Sequence, residues 1–181
     1  MIADKKEEVL EIVDENGVST KEFATREYVH KNQLFHNEVA LWIIDKDSKQ
    51  VLVQRRSKFK KQNPNKIALC AGHVVAGETI IEGLRKEAFE EIGIDIDKFN
   101  VKEILRVKSQ KKNNYCFSYH YCILKKIPIK KFKIQEEELS EVFYMDYEKL
   151  KAMIKNSDPE VAILWTEEVA RLFAEIDKII Y

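Results

Sequence analysis

Thr79, followed three residues later by Glu82, is a capping box: the N-cap hydroxyl takes a first-turn N–H and the glutamate answers the cap's own N–H. Gly93 stands where a helix-ending glycine belongs. The spacing predicts a helix between them. Each helical residue advances by ~100°, so with Glu87 as reference Glu91 falls near ~40° and Glu90 near ~−60°. Three carboxylates then share one arc, and Ile81, Leu84, Ala88 and Ile92 form the neighbouring core face. Like charges at these spacings repel by about a few tenths of a kcal/mol per pair. Stability alone would favour a lysine at one of the three. Clustered oxygens instead suit a hard divalent cation; the plainer alternative is a solvated acidic face. Gly83, one turn before Glu87, costs about 1 kcal/mol against alanine in a helix interior. Its expected use is to leave room for a ligand beside the acidic surface.

The rest of the chain is compatible with such a helix lying in one ordinary domain. With 181 residues, 45% hydrophobic and 34% charged, it can bury a core without disulfides. Lys+Arg and Asp+Glu are 31 each, so no general attraction to a nucleic-acid polymer is expected. No apolar run approaches the ~20 residues of a membrane span. The charged start, Met1 to Glu8, lacks a signal-peptide core, and Cys70, Cys116 and Cys122 read as reduced thiols. The expected location is cytoplasmic.

Along the chain, Val9–Val13 reads as a strand ending in the turn Asp14–Gly17, and Ala24–Leu34 as holding a short helix. His36–Ile44 is apolar on both faces, as in an inner strand, and Val51–Arg56 returns from it. A basic loop, Ser57–Lys66, follows. Val101–Lys108 and Tyr115–Leu124 read as strands joined by the turn Gln110–Asn114, and Val142–Met145 as a short strand. Asp146 should cap a helix reaching Ile154. Ser157-Asp158-Pro159 should start a last helix, Glu160–Ile180, with Val161, Trp165, Val169, Leu172 and Ile176 on one stripe. Trp165 fits either the core or a homodimer interface. There is no repeat and no regular βαβ alternation, which argues for an α+β class. The expected organisation is a single domain over 1–181, with a strand-and-turn extension over about 1–34 and a C-terminal helix over about 159–180.

Gly72, five residues, Glu78, seven residues and Lys86-Glu87-Ala88-Phe89-Glu90-Glu91-Ile92-Gly93-Ile94 resemble the Nudix box. The family pattern is Gly, five residues, Glu, seven residues, Arg-Glu-apolar-any-Glu-Glu-any-Gly-apolar; every defined position matches except Lys86, which replaces arginine. The resemblance implies the Nudix fold, a mixed β-sheet sandwiched between α-helices (α/β/α). It implies attack of water on a diphosphate linkage, dependent on Mg²⁺ or Mn²⁺. The expected substrate is a small organic diphosphate such as a nucleoside diphosphate derivative. By position, Glu87, Glu90 and Glu91 would be metal ligands, joined by the Gly72 carbonyl. Glu78 would pair with residue 86, where lysine offers a point contact in place of the arginine fork. Glu138 sits where many members carry a catalytic or metal-binding acidic loop.

A wider stretch is similar to one branch, the isopentenyl-diphosphate isomerases: His36, Val51 to Ser57, Pro64 and Ala71 to Glu78, with His30, His36 and His73 resembling metal-binding histidines. That enzyme has a cysteine where this chain has Ala71. Cys70 is one residue early, which on a strand means the other face. Its Glu-any-Glu pair has no counterpart in Asn113 to Ser118. Without a thiol and a carboxylate flanking the substrate, proton transfer at carbon lacks its agents, so hydrolysis is the expected reaction. Isomerase activity, or a non-catalytic ligand sensor on the same fold, are the alternatives.

Gly72 to Thr79 also approaches a P-loop, but Glu78 stands where that motif needs lysine. Cys116, Ser118, His120 and Cys122 alternate on one strand face; zinc binding or a half-buried face would both explain them. Arg55, Arg56 and Lys66, with His73, are the candidate contacts to substrate, while Lys58 and Lys60 extend the same basic wall. Trp42, Tyr115, Phe117 and Tyr119 fit either base stacking or core packing.

Overall fold

The structure, a computed structural model, describes residues 7–111 and 114–181. The charged start over 1–6 and the middle of the expected Gln110–Asn114 turn lie outside the described residues. In order, the elements are β1 (Val9–Val13), β2 (Ser19–Thr25), α1 (Arg26–Lys31), β3 (His36–Asp45), β4 (Gln50–Arg56), β5 (Ile67–Ala68) and β6 (Cys70–His73). They continue with α2 (Ile80–Ile92), β7 (Val101–Lys111), β8 (Asn114–Ile123), β9 (Leu139–Asp146), α3 (Tyr147–Lys155) and α4 (Glu167–Ile180).

The fold is α+β. The hairpin of β3 and β4 pairs only at Ile44–Val51 and Asp45–Gln50 before its arms diverge. β3 goes on to pair antiparallel with β6 and parallel with β8, which pairs with β7. β4 pairs antiparallel with β5 and β9. The mixed sheet therefore opens like a fork, and the site lies near the opening. Side chains alternate across β3, as an inner strand requires. Val39, Leu41 and Ile43 pack in the layer that contains α2; Trp42 and Ile44 pack on the other side with α3 and α4. This is the expected α/β/α sandwich.

Helix α2 forms as its sequence dictates. Both bonds of the capping box are present between Thr79 and Glu82, and Gly93 closes the helix in the left-handed region at φ 69°. Leu84, Ala88 and Ile92 are buried, but Ile81, expected with them, is 40% exposed. It lies in the first turn, at the edge of the buried stripe. Gly83 also has a use other than the expected one. A Cβ there would meet Val74 Cγ2 at 3.0 Å, so this glycine lets α2 lie close against the chain leaving β6.

Two further departures concern the ends of the chain. The N-terminal extension contains a second strand, β2, paired with β1. Its residues are mostly polar and exposed, so it lacks the buried alternation that marks a strand in sequence. The last helix starts at Glu167 behind the N-cap Thr166, not at residue 160. Residues 160–162 are drawn into an extended bridge: Ile67 N–H donates to the Glu160 carbonyl and Ala162 N–H to the Ile67 carbonyl. Val161 is buried all the same, but from an extended segment; Val169, Leu172 and Ile176 form the buried helical stripe. Trp165 packs against Phe173.

Candidate active site

Strand β6 and helix α2 face each other at the mouth of the fork. Glu87 and Glu91 are 2% and 6% exposed, an unusual degree of burial for carboxylates four residues apart. The Glu87 carboxyl lies against Gly72, occupying the volume that any side chain at residue 72 would fill: an added Cβ would come within 2.1 Å of Glu87 Cδ. Glu91 Oε2 accepts from Ala71 N–H at 3.2 Å and from Gln54 Nε2 at 2.9 Å. Burial pushes the Glu91 carboxyl up, the two hydrogen bonds pull it down, and the neighbouring charges of Glu138 and Arg56 oppose one another. Glu90, on the third expected position, is partly buried on the same helix. Lys86 Nζ stands 3.4 Å from Glu78 Oε2, the pairing expected of the box arginine, and 3.6 Å from Glu87 Oε1 as well.

The donor set fits a hard divalent cation. The Gly72 cradle keeps the Glu87 carboxyl beside β6, and Gln54 Oε1, fully buried next to Glu91, has no hydrogen-bond partner. Gln54 was not singled out in the sequence. Its only signal was its position two residues before Arg56, on the same face of an apolar strand.

The basic candidates separate. Arg56 lies close enough to Glu91 and Glu138 to feel both charges, and burial lowers its pKa. Arg55, one residue earlier, turns to Glu141 at 2.7 Å and the Asn65 carbonyl at 3.0 Å and does not join the carboxylates. Lys66 contributes its backbone, the carbonyl accepting from Arg56 N–H at 2.9 Å. Glu138, in the turn just before β9, is ion-paired with Lys60. Its charge reaches Glu91, so the acidic loop and the acidic helix meet at the fork.

His73 belongs to a second cluster. His30 on α1, His36 on β3 and His73 on β6 each offer a ring nitrogen, and these atoms lie within 4.8 Å of one another. His30 Nε2 and His73 Nε2 are 3.0 Å apart, and Glu38 Oε1 is 3.4 Å from His73 Nε2 and 3.8 Å from His36 Nε2. The register explains the meeting, since Glu38 pairs with His73 on one side and Ser118 on the other. Burial alone would raise the Glu38 carboxyl; the imidazoles of His36 and His73 and the Asn114 amide hold it well below the usual range. His36 Nε2 is buried without a hydrogen-bond partner. Three imidazoles and a carboxylate could hold a transition metal, for which this N/O set is suited. Glu38 was legible only as the residue two after His36, on the same strand face.

The two clusters are joined by β6, whose residues 71 and 72 touch the carboxylates while residue 73 belongs to the histidines. Beside them lies a cavity of about 460 Å³, whose lining includes Arg56 and Ala71, Glu38 and Cys116, and Trp42 and Phe173. Cys70 points the other way, into the core with α2, and Ala71 faces the cavity.

The NUDIX domain model matches residues 34–165. The chain is 30% identical over 162 residues to the uncharacterized Nudix hydrolase YfcD of Escherichia coli K12, covering 87% of this chain and 86% of that protein. It is also 30% identical over 162 residues to Nudix hydrolase 3 of Arabidopsis thaliana, but there it spans only 21% of the relative's length. Among solved structures, DR0079 from Deinococcus radiodurans superposes with a TM-score of 0.70 at 20% identity, over 92% of this chain and 98% of that one. The NUDIX domain of Shewanella oneidensis NrtR, in complex with ADP ribose, gives a TM-score of 0.57 at 11% identity, over 79% and 87%.

Proposed function

This chain belongs to the NUDIX family and is a Nudix hydrolase; from that premise we propose that it is a pyrophosphohydrolase dependent on Mg²⁺ or Mn²⁺, acting on a nucleoside diphosphate derivative. The observation that carries the reading is the convergence of Gly72, Glu87 and Glu91 beside a cavity bordered by Ala71 and Arg56. Glu87, Glu90 and Glu91, with the Gly72 carbonyl, would hold the metal. When bound, it would neutralise phosphate charge and lower the pKa of the attacking water. Gln54 and the Ala71 N–H keep the Glu91 carboxylate oriented. Arg56 offers a guanidinium for the phosphate not under attack. Glu138, once released from Lys60, would take the proton of the water; its charge effect on Glu91 supports this assignment. Water oxygen attacks one phosphorus, the bridging P–O bond breaks, and two phosphorylated products leave. Nucleoside diphosphate derivatives incubated with Mg²⁺ and Mn²⁺, alongside isopentenyl diphosphate, test the reading: metal-dependent release of two phosphorylated products is expected, and isomerisation without hydrolysis would overturn it.

The histidine cluster supports a second point, that the chain descends from the branch similar to isopentenyl-diphosphate isomerase. The same cavity argues against isomerase chemistry. Its thiol and carboxylate, Cys116 Sγ and Glu38 Oε2, touch each other at 3.2 Å, whereas allylic proton transfer needs them on opposite sides of the substrate.

A further inference from the structure

Helix α2 has a second face. Counted from Glu87 at ~100° per residue, Glu82, Arg85, Lys86 and Phe89 fall at roughly 160° to 260°, turned away from the carboxylates. Phe89 is 64% exposed there, although a large apolar side chain gains nothing from water on that face. It borders a cavity of about 900 Å³ that two other stretches of chain, 93–99 and 125–131, complete. Ile94, Phe99, Ile127 and Pro128 extend the apolar lining.

The charge around this cavity is unbalanced. Arg85, Lys86, Lys98, Lys125, Lys126 and Lys131 line it, against the acids Glu82 and Asp95. Both acids are already engaged: Glu82 closes the capping box with Thr79, and Asp95 pairs with Lys98 at 3.1 Å. Arg85 is held by Asp97 through two bonds of 2.8 and 2.9 Å, and Lys126 by Asp45 at 2.9 Å. Among the described residues Lys125 and Lys131 make no ion pair, and Lys125 Nζ stands 5.9 Å from the Phe99 ring centroid. None of the proposed metal ligands lines this cavity, so it stands apart from the candidate active site. No strand borders it, so a peptide has no sheet edge to extend. Its volume is that of a small-molecule pocket, roughly 300–1,000 Å³.

We propose that the outer face of α2 carries a second ligand site, for a small anionic amphiphile: a flat apolar body packed on Phe89 and Phe99, with an acidic group drawn to Lys125 and Lys131. The aromatic side chains select the body and the surplus of cations selects the acid. The site does not depend on the hydrolase reading.

The probe is anilinonaphthalene sulfonate, titrated by fluorescence into the full chain beside phenylnaphthylamine, the same ring system without the sulfonate. Wild type binds the sulfonate more tightly, by about three- to thirtyfold, the range of two partly exposed charge contacts. Lys125→Gln combined with Lys131→Gln brings the two dyes within about twofold of each other. Phe89→Gln weakens both by at least about fivefold, and the exposure of Phe89 keeps stability out of the comparison. In wild type, amide NMR shifts on adding the sulfonate cluster at Phe89, Gly93, Phe99 and Ile127, a readout that needs no variant. Equal affinity of wild type for the two dyes, shifts centred on Trp42 and His120 instead, or unchanged binding in either variant overturns the proposal. So does a short acidic peptide with a central phenylalanine that binds this face more tightly than the dye, which would make it a peptide-docking surface. Self-association of wild type that Phe89→Gln abolishes overturns it as well, because the face would then be a contact between copies.

Discussion

Gly72 and Glu87 occupy one volume: the site of a missing Cβ on β6 is filled by the carboxyl of α2, with 2.1 Å between the ideal Cβ position and Glu87 Cδ. The backbone at Gly72 adopts no left-handed conformation among the described residues, so this glycine serves close approach and not a turn. Gly72→Ala must therefore push the Glu87 side chain away. Because the displaced group is the end of a flexible side chain, the cost in stability is expected to stay within about 1–2 kcal/mol, while the carboxylate leaves the place where it is proposed to hold a metal. Turnover should fall at least about tenfold, with weaker Mn²⁺ binding by titration. Wild-type Mn²⁺ affinity in Gly72→Ala would show that Glu87 is not a ligand.

Glu91 is held by two donors, and their removal should be graded. Glu91→Gln removes a charged oxygen of a proposed metal ligand and is expected to lower turnover at least about tenfold. Gln54→Leu keeps the ligand but removes its Nε2 donor and the unpartnered Oε1, so a smaller loss, still measurable as weaker Mn²⁺ binding, is expected. Equal rates in Glu91→Gln and wild type would place the reaction elsewhere.

Helix α2 was legible because its signals are local: a capping box, a closing glycine and a 3.6-residue period depend on residues within the helix itself. The inner strand β3 was legible because burial on both faces writes a continuous apolar run. What the sequence could not reveal depends on register. Glu38 meets His73, and Gln54 meets Glu91, only because separate strands and a helix align, and nothing in the order of residues states that alignment. The N-terminus of α4 departs from its local signal for a related reason. Ser157-Asp158-Pro159 is a sound local start signal, yet residues 160–162 gain more by bridging Ile67 than by beginning a helix. Arg55 and Arg56 look alike in sequence, and strand alternation separates them into a surface ion pair and a group beside the acids.

His120 makes the fold acid-sensitive. Its imidazole has an ordinary pKa of 6.5 and is held at about 4 in the native chain. Below pH 6.5 the unfolded chain takes up a proton that the folded chain refuses, until the folded imidazole itself titrates near pH 4. The stabilisation is fully present above pH 6.5, is lost as pH falls through this window, and is constant below it. His30, also lowered to about 4 chiefly by burial, adds a slope of the same sign. Thermal melts between pH 7.5 and pH 4 should show His120→Gln losing less Tm than wild type across the window. Parallel curves for the two proteins would mean that folding does not lower the His120 pKa.

Lys86 is the single departure from the box pattern, and its geometry says what arginine would change. The ammonium is shared, 3.4 Å from Glu78 and 3.6 Å from Glu87, so the charge that ties α2 to its preceding loop also leans on a carboxylate proposed to hold the metal. Glu78 Oε2 accepts from Val75 N–H at 3.2 Å as well, which fixes it as the anchor. A guanidinium could hold Glu78 through two parallel bonds and free Glu87 from half of this competition. Lys86→Arg is therefore expected to raise kcat/KM by about two- to fivefold, the scale of a partly exposed ion pair. Lys86→Met, which leaves Glu78 without its cation, should lower both Tm and kcat/KM. A Lys86→Arg enzyme slower than wild type would show that the shared ammonium assists the reaction directly.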